Sequence, residues 1–418
     1  MKSLVAAIQS RRFWLISLLV IVSAIFVFRT AHHVPRLTHG FAMYYAYARF
    51  VIEGGSFSRA YDQQIFDASL SGDGFGDIKD IPNNPPTAAL YILPFAWLTP
   101  IAAKIAWSAL SLLFLFLSLR ILFRVFEIPP GSDSGIACLI LVFALTPLND
   151  NLLYGQVYTF LLYLFCLSLE GLHKRQNIVS GLPISASTIF KGYGILLIAW
   201  HLLRRDWKPF AIALGGICAA ALLLLPIFPP DAWAAFFQTR ATSLGRNPSD
   251  AAVAYQTLNS FVRHLCTADP RWSPSPILNL PSGITTAVSA FVNLGFITLV
   301  FLKSFAREEK LELTFARLVC LGVVTAPVAE EYHYLLLVIL MLAMNDRLHR
   351  LVGSWEKIQL PDVLFLAGTI VVAAPIPYAE LNSAPFPTSL AAYPKLYAAI
   401  LLILVSFTRG PESTASTR

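Results

Sequence analysis

Long apolar segments alternate with short polar ones along most of the chain, and this pattern predicts membrane-spanning helices. A helix needs about 20 apolar residues to cross the hydrocarbon core of a bilayer. Phe13–Phe28 and Ile101–Phe123 are the first two segments that we expect to cross. Because lipid offers no partners for backbone N–H and C=O groups, helices are the expected spanning form. The pattern therefore predicts an all-α, polytopic integral membrane protein.

Further apolar segments bring the expected total to about 10–12 transmembrane helices. They are Ile136–Pro147, Tyr154–Leu169, Ile178–Phe190, Gly192–Leu203, Phe210–Ile227, Ile284–Phe301, Leu313–Ala326, Tyr334–Met344, Val363–Ala374 and Leu396–Phe407. Lys and Arg clusters set the orientation, since cytoplasmic loops carry an excess of both. Arg11-Arg12 places the start of the chain in the cytoplasm, and the later clusters place its end there too.

Two stretches that we do not expect to cross are predicted to be non-cytoplasmic loops, residues 29–100 and 228–283. The first contains Gly40–Gly54, whose many aromatic residues predict an amphipathic segment at the outer interface. It also contains Thr87–Leu98, which is apolar but too short to span, and which we expect to be re-entrant or interfacial. Residues 1–408 are predicted to form one membrane domain, and residues 409–418 a disordered cytoplasmic tail.

The composition excludes a soluble protein: the 418 residues are 56% hydrophobic and 13% charged, with a mean hydropathy of +0.64. Soluble domains carry about 25% charged residues. The net charge of +7 comes from short clusters beside apolar segments, so topology explains it and no nucleic-acid partner is expected. The sequence has neither a CxxC pair nor a glycine-rich phosphate loop. No metal or cofactor is predicted.

Sorting the polar residues by predicted side indicates a site at the outer membrane boundary. The predicted inner face carries mainly Lys and Arg, whereas the outer face carries acids, amides and a lysine. Ionisable groups at the ends of apolar segments are functional candidates by default. The outer set comprises Asp62, Asn83, Asn84, Asn149, Asp150, Asn151, Gln156, Lys191, Arg246, Gln256, Asn259, Glu330, Glu331 and His333.

Each outer motif has a structural interpretation as well as a functional one. Asn84, before Pro85-Pro86, either starts a helix or approaches a ligand. Lys191 either binds phosphate as a point charge or extends its ammonium to the interface. Gln256 and Asn259 would share one face of a helix, where amides suit a hydroxyl-rich ligand, or they belong to a capped amphipathic helix. The Pro327–Tyr334 turn suits acid–base chemistry or a polar helix start.

The order of these motifs resembles glycosyltransferase family 87, the polyprenol-phosphate-mannose-dependent mannosyltransferase-like proteins of the GT-C class. The resemblance covers roughly Phe13 to Asn345, through the aromatic stretch, Gly155-Gln156, Lys191 and the Pro327–Tyr334 turn. It implies a GT-C-like helical bundle in the inner (plasma) membrane. It also implies inverting transfer of a hexose, most often mannose, from a polyprenyl-phosphate donor to a lipid or glycan acceptor at the non-cytoplasmic face.

The resemblance and the outer set together give the predicted substrate-binding residues. They are Asp62, Asn84, Gln156, Lys191, Gln256, Asn259 and His333. Arg246 and Arg263 are further candidates for holding the donor phosphate.

The family typically carries Asp immediately before the Phe of the aromatic stretch, as general base, but here Gly40 occupies that position. We expect Glu331 or Asp150 to supply the base, ahead of His39, because a carboxylate is usual in this reaction; Asp62 is a further alternative. If none of these residues supplies the base, the alternative is that the chain is an inactive homologue. A transporter or flippase for a lipid-linked sugar is the other alternative.

Overall fold

The computed structural model describes residues 10–54, 56–78, 80–243, 248–306, 309–353 and 355–408, and in them the chain forms helices and turns without a β-strand. The α-helices are Arg11–His33, Phe41–Glu53, Gln63–Gly72, Pro100–Val125, Asp133–Ala144, Thr146–Leu153, Tyr158–His173, Asn177–Lys191, Ile195–Leu203, Trp207–Leu224, Pro230–Ser243, Leu258–Cys266, Ser282–Phe305, Leu311–Val324, Val338–Ala343, Asn345–Gly353, Leu360–Ala373 and Pro394–Val405. The 3₁₀ helices are Phe57–Tyr61, Pro86–Tyr91, Leu93–Phe95, Pro248–Ala251, Glu331–Leu337, Trp355–Lys357, Tyr378–Leu381 and Thr388–Ala392. The predicted tail at residues 409–418 and the phosphate candidate Arg246 lie outside the described residues.

The chain divides into two compact units. Unit 1 comprises Met1–Arg29, Leu119–Asn149 and Pro248–Arg418, and unit 2 comprises Thr30–Ser118 and Asp150–Asn247. The single membrane domain over residues 1–408 stays a prediction, as do its two non-cytoplasmic loops.

Four of the helices in the described part of the chain are long and apolar enough to cross a membrane. They are Arg11–His33, Pro100–Val125, Trp207–Leu224 and Ser282–Phe305. The first of these buries only Phe26 within the protein and exposes large apolar side chains such as Trp14 and Phe28. So much exposed apolar surface requires a non-aqueous surrounding. The prediction of an all-α polytopic membrane protein is confirmed; the count of about 10–12 spans stays a prediction.

The predicted crossing at Ile136–Pro147 stays a prediction, and the structure forms this part of the chain as a bent pair of helices. Asp133–Ala144 and Thr146–Leu153 are two helices with a 45° bend between them. Pro147 explains the break, because proline has no N–H and its ring clashes with the carbonyl four residues earlier, while it fits the first turn of a new helix. Asn149, Asp150 and Asn151 therefore lie in the second helix.

The aromatic helix (Phe41–Glu53) is not the amphipathic segment that the sequence predicts. Every residue from Phe41 to Ala48 is buried, so its first two turns are covered on all sides. The tyrosine side chains allow this because each buried hydroxyl finds an acceptor. Tyr45 donates to the carbonyl oxygen of Leu98 at 2.8 Å, and Tyr47 donates to that of Asn84 at 3.4 Å. This helix forms part of the core of unit 2.

Candidate functional site

Lys191 is the centre of a polar cluster in unit 2, which we call the Lys191 cluster: Tyr44, Asn84, Gln156, Tyr158 and Lys191. Its ammonium nitrogen donates to Asn84 Oδ1 at 2.5 Å. It also lies 5.4 Å from the ring centre of Tyr44 and 5.8 Å from that of Tyr158. An ammonium over an aromatic face is attracted by the electrons of the ring. The cluster therefore holds a half-buried positive charge in a defined place.

A helix end places the Lys191 side chain there. The helix Asn177–Lys191 ends at Lys191, and Gly192 adopts the left-handed conformation with φ of 76°. Glycine commonly ends helices in this way, because it has no Cβ to clash. The chain restarts as the helix Ile195–Leu203. The break between two short apolar runs thus agrees with the sequence pattern.

Asn84 is fixed by the proline pair that follows it. Pro86 begins the 3₁₀ helix Pro86–Tyr91, so the structural interpretation of this motif as a helix start is confirmed. The carbonyl oxygen of Asn84 accepts a hydrogen bond from the Tyr61 hydroxyl at 2.8 Å. With its backbone held, Asn84 directs its side-chain oxygen at Lys191.

Gln156 joins the cluster through the aromatic helix. Its Oε1 accepts a hydrogen bond from the Tyr44 hydroxyl at 2.9 Å, and both side chains are buried. Gly155 makes the close approach possible: a Cβ on it would lie 2.8 Å from two carbons of Phe41. Its φ of 57° is also in the region that favours glycine. The Gly155-Gln156 motif therefore packs the Gln156 amide directly against the aromatic helix.

Asp80 is a carboxylate of unit 2 that the sequence motifs do not single out. It accepts hydrogen bonds from the backbone N–H of Gly40, at the start of the aromatic helix, and from that of Ile81 at 2.8 Å. Burial raises the pKa of Asp80, while the amides of Gly40 and Ile81 and the nearby His39 act in the opposite direction. In the sequence, Asp80 is marked only by its position shortly before Asn83-Asn84, and the same loop contains several other acids.

The other predicted acids of unit 2, and His39, occupy different settings. Asp62 caps the helix Gln63–Gly72, where its carboxylate accepts from the amides of Gln64 and Ile65. His39 is exposed, with its ring 4.8 Å from that of Tyr154. Asp150 is half-buried within the helix Thr146–Leu153. Their predicted roles in catalysis or binding stay predictions.

Glu331 lies in unit 1 and forms an ion pair. Its carboxylate is 2.7 Å from the ammonium of Lys395, and it accepts from the Tyr378 hydroxyl at 3.2 Å. Lys395 is completely buried and also donates to the carbonyl oxygen of Val372 at 3.0 Å. A carboxylate that neutralises a buried ammonium has an evident structural function. The predicted catalytic role of Glu331 stays a prediction.

Two of the late motifs meet within unit 1. The backbone N–H of Gln256 donates to the carbonyl oxygen of Ala329 at 2.9 Å, and Asn259 Nδ2 donates to that of Pro327 at 2.8 Å. His333 is buried, and its ring stacks on Tyr332 with 4.8 Å between centres. The structure thus brings Gln256 and Asn259 together with the Pro327–Tyr334 turn, as their shared place in the outer set suggests.

Gln256 does not share a helix face with Asn259, contrary to what their spacing in the sequence predicts. The helix Leu258–Cys266 starts after Gln256 and is capped by the Thr257 side chain. Gln256 is fully buried, and its Nε2 donates to the carbonyl oxygens of Val253 at 2.6 Å and Ala392 at 2.8 Å. These bonds fix the chain before the helix. Sugar binding by Gln256, Asn259 and His333 stays a prediction.

Comparison with known proteins agrees with the resemblance. Part of the chain is similar to the polyprenol-phosphate-mannose-dependent alpha-(1-2)-phosphatidylinositol mannoside mannosyltransferase of Mycobacterium tuberculosis, with 28% identity over 162 residues. The match covers 36% of this chain and 38% of that relative. No solved structure matches the chain. Glycosyltransferase family 87 matches residues 83–329, which is more than half of the sequence, and the chain belongs to this family.

Proposed function

We propose that the chain is an inverting glycosyltransferase that takes a hexose, mannose in the first instance, from a polyprenyl-phosphate donor. The acceptor is a lipid or glycan, and transfer takes place at the non-cytoplasmic face of the inner (plasma) membrane. Membership of family 87 supports glycosyl transfer. The mycobacterial relative is a polyprenol-phosphate-mannose-dependent mannosyltransferase, which supports the donor class. The observation that carries the proposal is the Lys191 cluster.

The Lys191 cluster suits a phosphate group. A lysine ammonium binds phosphate as a compact point charge with three N–H donors. Asn84 is neutral, so the 2.5 Å contact orients the ammonium without cancelling its charge. Tyr44 and Tyr158 add ring faces beside it. In a membrane protein, a sugar donor that is linked to a polyprenyl chain through phosphate can enter such a site from the lipid.

The reaction then needs no nucleotide, because the phosphate of the donor is already the leaving group. The acceptor oxygen forms a bond to the anomeric carbon as the bond from that carbon to the phosphate oxygen breaks. The electron pair of the broken bond stays on the phosphate, where the charge of Lys191 stabilises it. The acceptor hydroxyl proton passes to a base. Buried amides such as Gln156 are suited to bind sugar hydroxyls.

Purified protein in lipid nanodiscs, supplied with a radiolabelled short-chain polyprenyl-phosphate mannose and membrane lipid extract, tests the proposal. We expect labelled product with this donor and none with a nucleotide-linked mannose. The Lys191→Gln variant should show a KM for the donor that is about 10- to 100-fold higher, the value of one charge-assisted hydrogen bond. Lys208→Gln is the matched control, because Lys208 is exposed and outside the cluster.

The outcomes separate the alternatives. Transfer only from the nucleotide-linked sugar would contradict the donor class. In sealed vesicles, movement of the polyprenyl-phosphate sugar between leaflets without a new covalent product would instead indicate a flippase. An unchanged donor KM in Lys191→Gln, with wild-type transfer intact, would remove Lys191 from the phosphate site.

A further inference from the structure

Gly40 has no carboxylate, but the carboxylate of another residue of unit 2 contacts the backbone at this position. The Asp80 carboxylate accepts a hydrogen bond from the backbone N–H of Gly40 itself. The backbone of Asp80 is held as well, because Gln63 Nε2 donates to its carbonyl oxygen at 2.9 Å. Asp80 therefore has a fixed position at the start of this helix.

The same glycine also links Asp80 to the Lys191 cluster. A side chain on Gly40 would point at Gln156 Nε2, so the Gln156 amide occupies the space beside this residue while Asp80 contacts its N–H. Gln156 in turn accepts from Tyr44, whose ring lies beneath the Lys191 ammonium. The carboxylate and the ammonium thus belong to one connected polar region of unit 2.

We infer that Asp80 is the general base of the transfer reaction, an inference that rests on the proposed function. The acceptor hydroxyl gives its proton to a carboxylate oxygen of Asp80 as its oxygen bonds to the anomeric carbon. The bond from that carbon to the donor phosphate breaks, and its electron pair stays on the phosphate. A carboxylate has about four lone-pair positions, so the backbone amides leave room for the substrate proton.

The setting of Asp80 favours this role over those of the other candidates. Burial raises the pKa of Asp80, and a stronger base accepts a proton more readily in the transition state. Glu331 instead forms an ion pair at 2.7 Å with the buried Lys395, so its carboxylate already has a structural partner. Asp62 is exposed and caps a helix with its carboxylate. Asp80 is partly buried, and it also contacts the helix that carries Tyr44.

A purely structural role for Asp80 is the alternative, because Gly40 provides no side-chain cap for the aromatic helix. The Asp80→Asn variant separates the two roles. Its single amide oxygen can accept from the N–H of Gly40 or from that of Ile81 but not from both, because the two donate to different oxygens of the carboxylate, and the amide cannot act as a base. We expect turnover to fall by at least about 100-fold, the usual contribution of a general base, while the donor KM changes little and the thermal midpoint falls only slightly, through the loss of one hydrogen bond.

Asp269→Asn is the matched control, since the Asp269 carboxylate also accepts from two backbone amides, those of Arg271 at 2.9 Å and Trp272 at 2.8 Å. It should keep wild-type turnover. If the wild-type protein transfers no hexose from a polyprenyl-phosphate donor, the proposed function fails. If the wild type transfers but folded Asp80→Asn keeps more than about a tenth of its turnover, the assignment of Asp80 is overturned and the proposed function stands.

A second variant keeps the inference testable if Asp80→Asn does not fold. Asp80→Glu retains a carboxylate with a different reach and a different proton affinity. We expect the acid limb of its profile of kcat against pH to move relative to wild type. His39 and the Tyr47 hydroxyl are the titratable groups that act on or respond to Asp80, and both are unchanged in this variant. An acid limb that stays in place would overturn the inference.

Discussion

Glu331 and Lys395 form an ion pair with 2.7 Å between the carboxylate and ammonium atoms. The Lys395 side chain has no exposed surface, and that of Glu331 is 15% exposed. Two carbonyl oxygens, of Val372 and Ala374, also accept hydrogen bonds from the ammonium. The pair joins the turn at Pro327–Tyr334 to the start of the helix Pro394–Val405, all within unit 1.

Removing one partner should destabilise unit 1. Glu331→Ala leaves the buried Lys395 charge without its carboxylate, and breaking such a pair costs about 3–5 kcal/mol. The double variant Glu331→Met, Lys395→Met should recover most of this loss, because no lone charge stays buried. Thermal unfolding in detergent measures both, with the exposed Glu380→Ala as control. A single variant as stable as wild type would show that the pair contributes nothing.

Gly155 should not tolerate a side chain. Alanine there would place its Cβ 2.8 Å from Phe41 carbons and would have to adopt a φ of 57°. The strain and the displaced ring should cost about 1–3 kcal/mol. Gly295→Ala is a control of opposite sign: Gly295 lies in the helix Ser282–Phe305 with nothing near its Cβ position, so alanine should stabilise slightly. Thermal midpoints that move alike in the two variants would contradict this account.

Binding of the donor phosphate by Lys191 should depend on the residue at position 84. In Asn84→Asp the neutral amide becomes a carboxylate of the same shape, 2.5 Å from the ammonium, and the new ion pair competes with the donor phosphate. We expect the donor KM to rise by about 10-fold or more. Asn83→Asp places the same charge one residue away and should have a smaller effect. Steady-state kinetics with a polyprenyl-phosphate mannose measure both, and equal effects would rule out a direct contact.

The sequence predicts the membrane helices well because hydrophobic length is a local property. The helix Arg11–His33 contains the predicted Phe13–Phe28, and Pro100–Val125 contains Ile101–Phe123. The errors arise where burial or backbone chemistry overrides the local pattern. The tyrosines of Phe41–Glu53 look amphipathic, but tertiary acceptors allow their complete burial. Pro147 lies in the first turn of the helix Thr146–Leu153, which the hydrophobic pattern does not show.

The candidate site could be predicted only in part. Asn84, Gln156 and Lys191 each stand in a recognisable motif, and the structure brings them together. Asp80 stands in no motif, and its meaning depends on a contact with Gly40, forty positions earlier. Such a contact follows from how the loop before Asn83-Asn84 folds back on the aromatic helix. Spacing along one sequence does not carry that information.

His39 should influence the pH dependence of transfer without being its base. A general base acts when deprotonated, so turnover should rise as pH increases through the pKa of Asp80. Burial raises that pKa, whereas the amides of Gly40 and Ile81 and the charge of His39 lower it. Removing the imidazole in His39→Gln therefore raises the pKa of Asp80 further, and the acid limb should move to higher pH while the plateau rate is largely kept.

The measurement is kcat/KM for the donor from acid to neutral pH, in wild type, His39→Gln and the control His349→Gln, in which an exposed histidine of unit 1 is replaced. The Tyr47 hydroxyl also interacts electrostatically with Asp80, but burial raises the pKa of this hydroxyl and it stays protonated throughout this range. A general base contributes about 100-fold or more to turnover. A loss of that size at every pH in His39→Gln would therefore assign the base to His39 and contradict its assignment to Asp80.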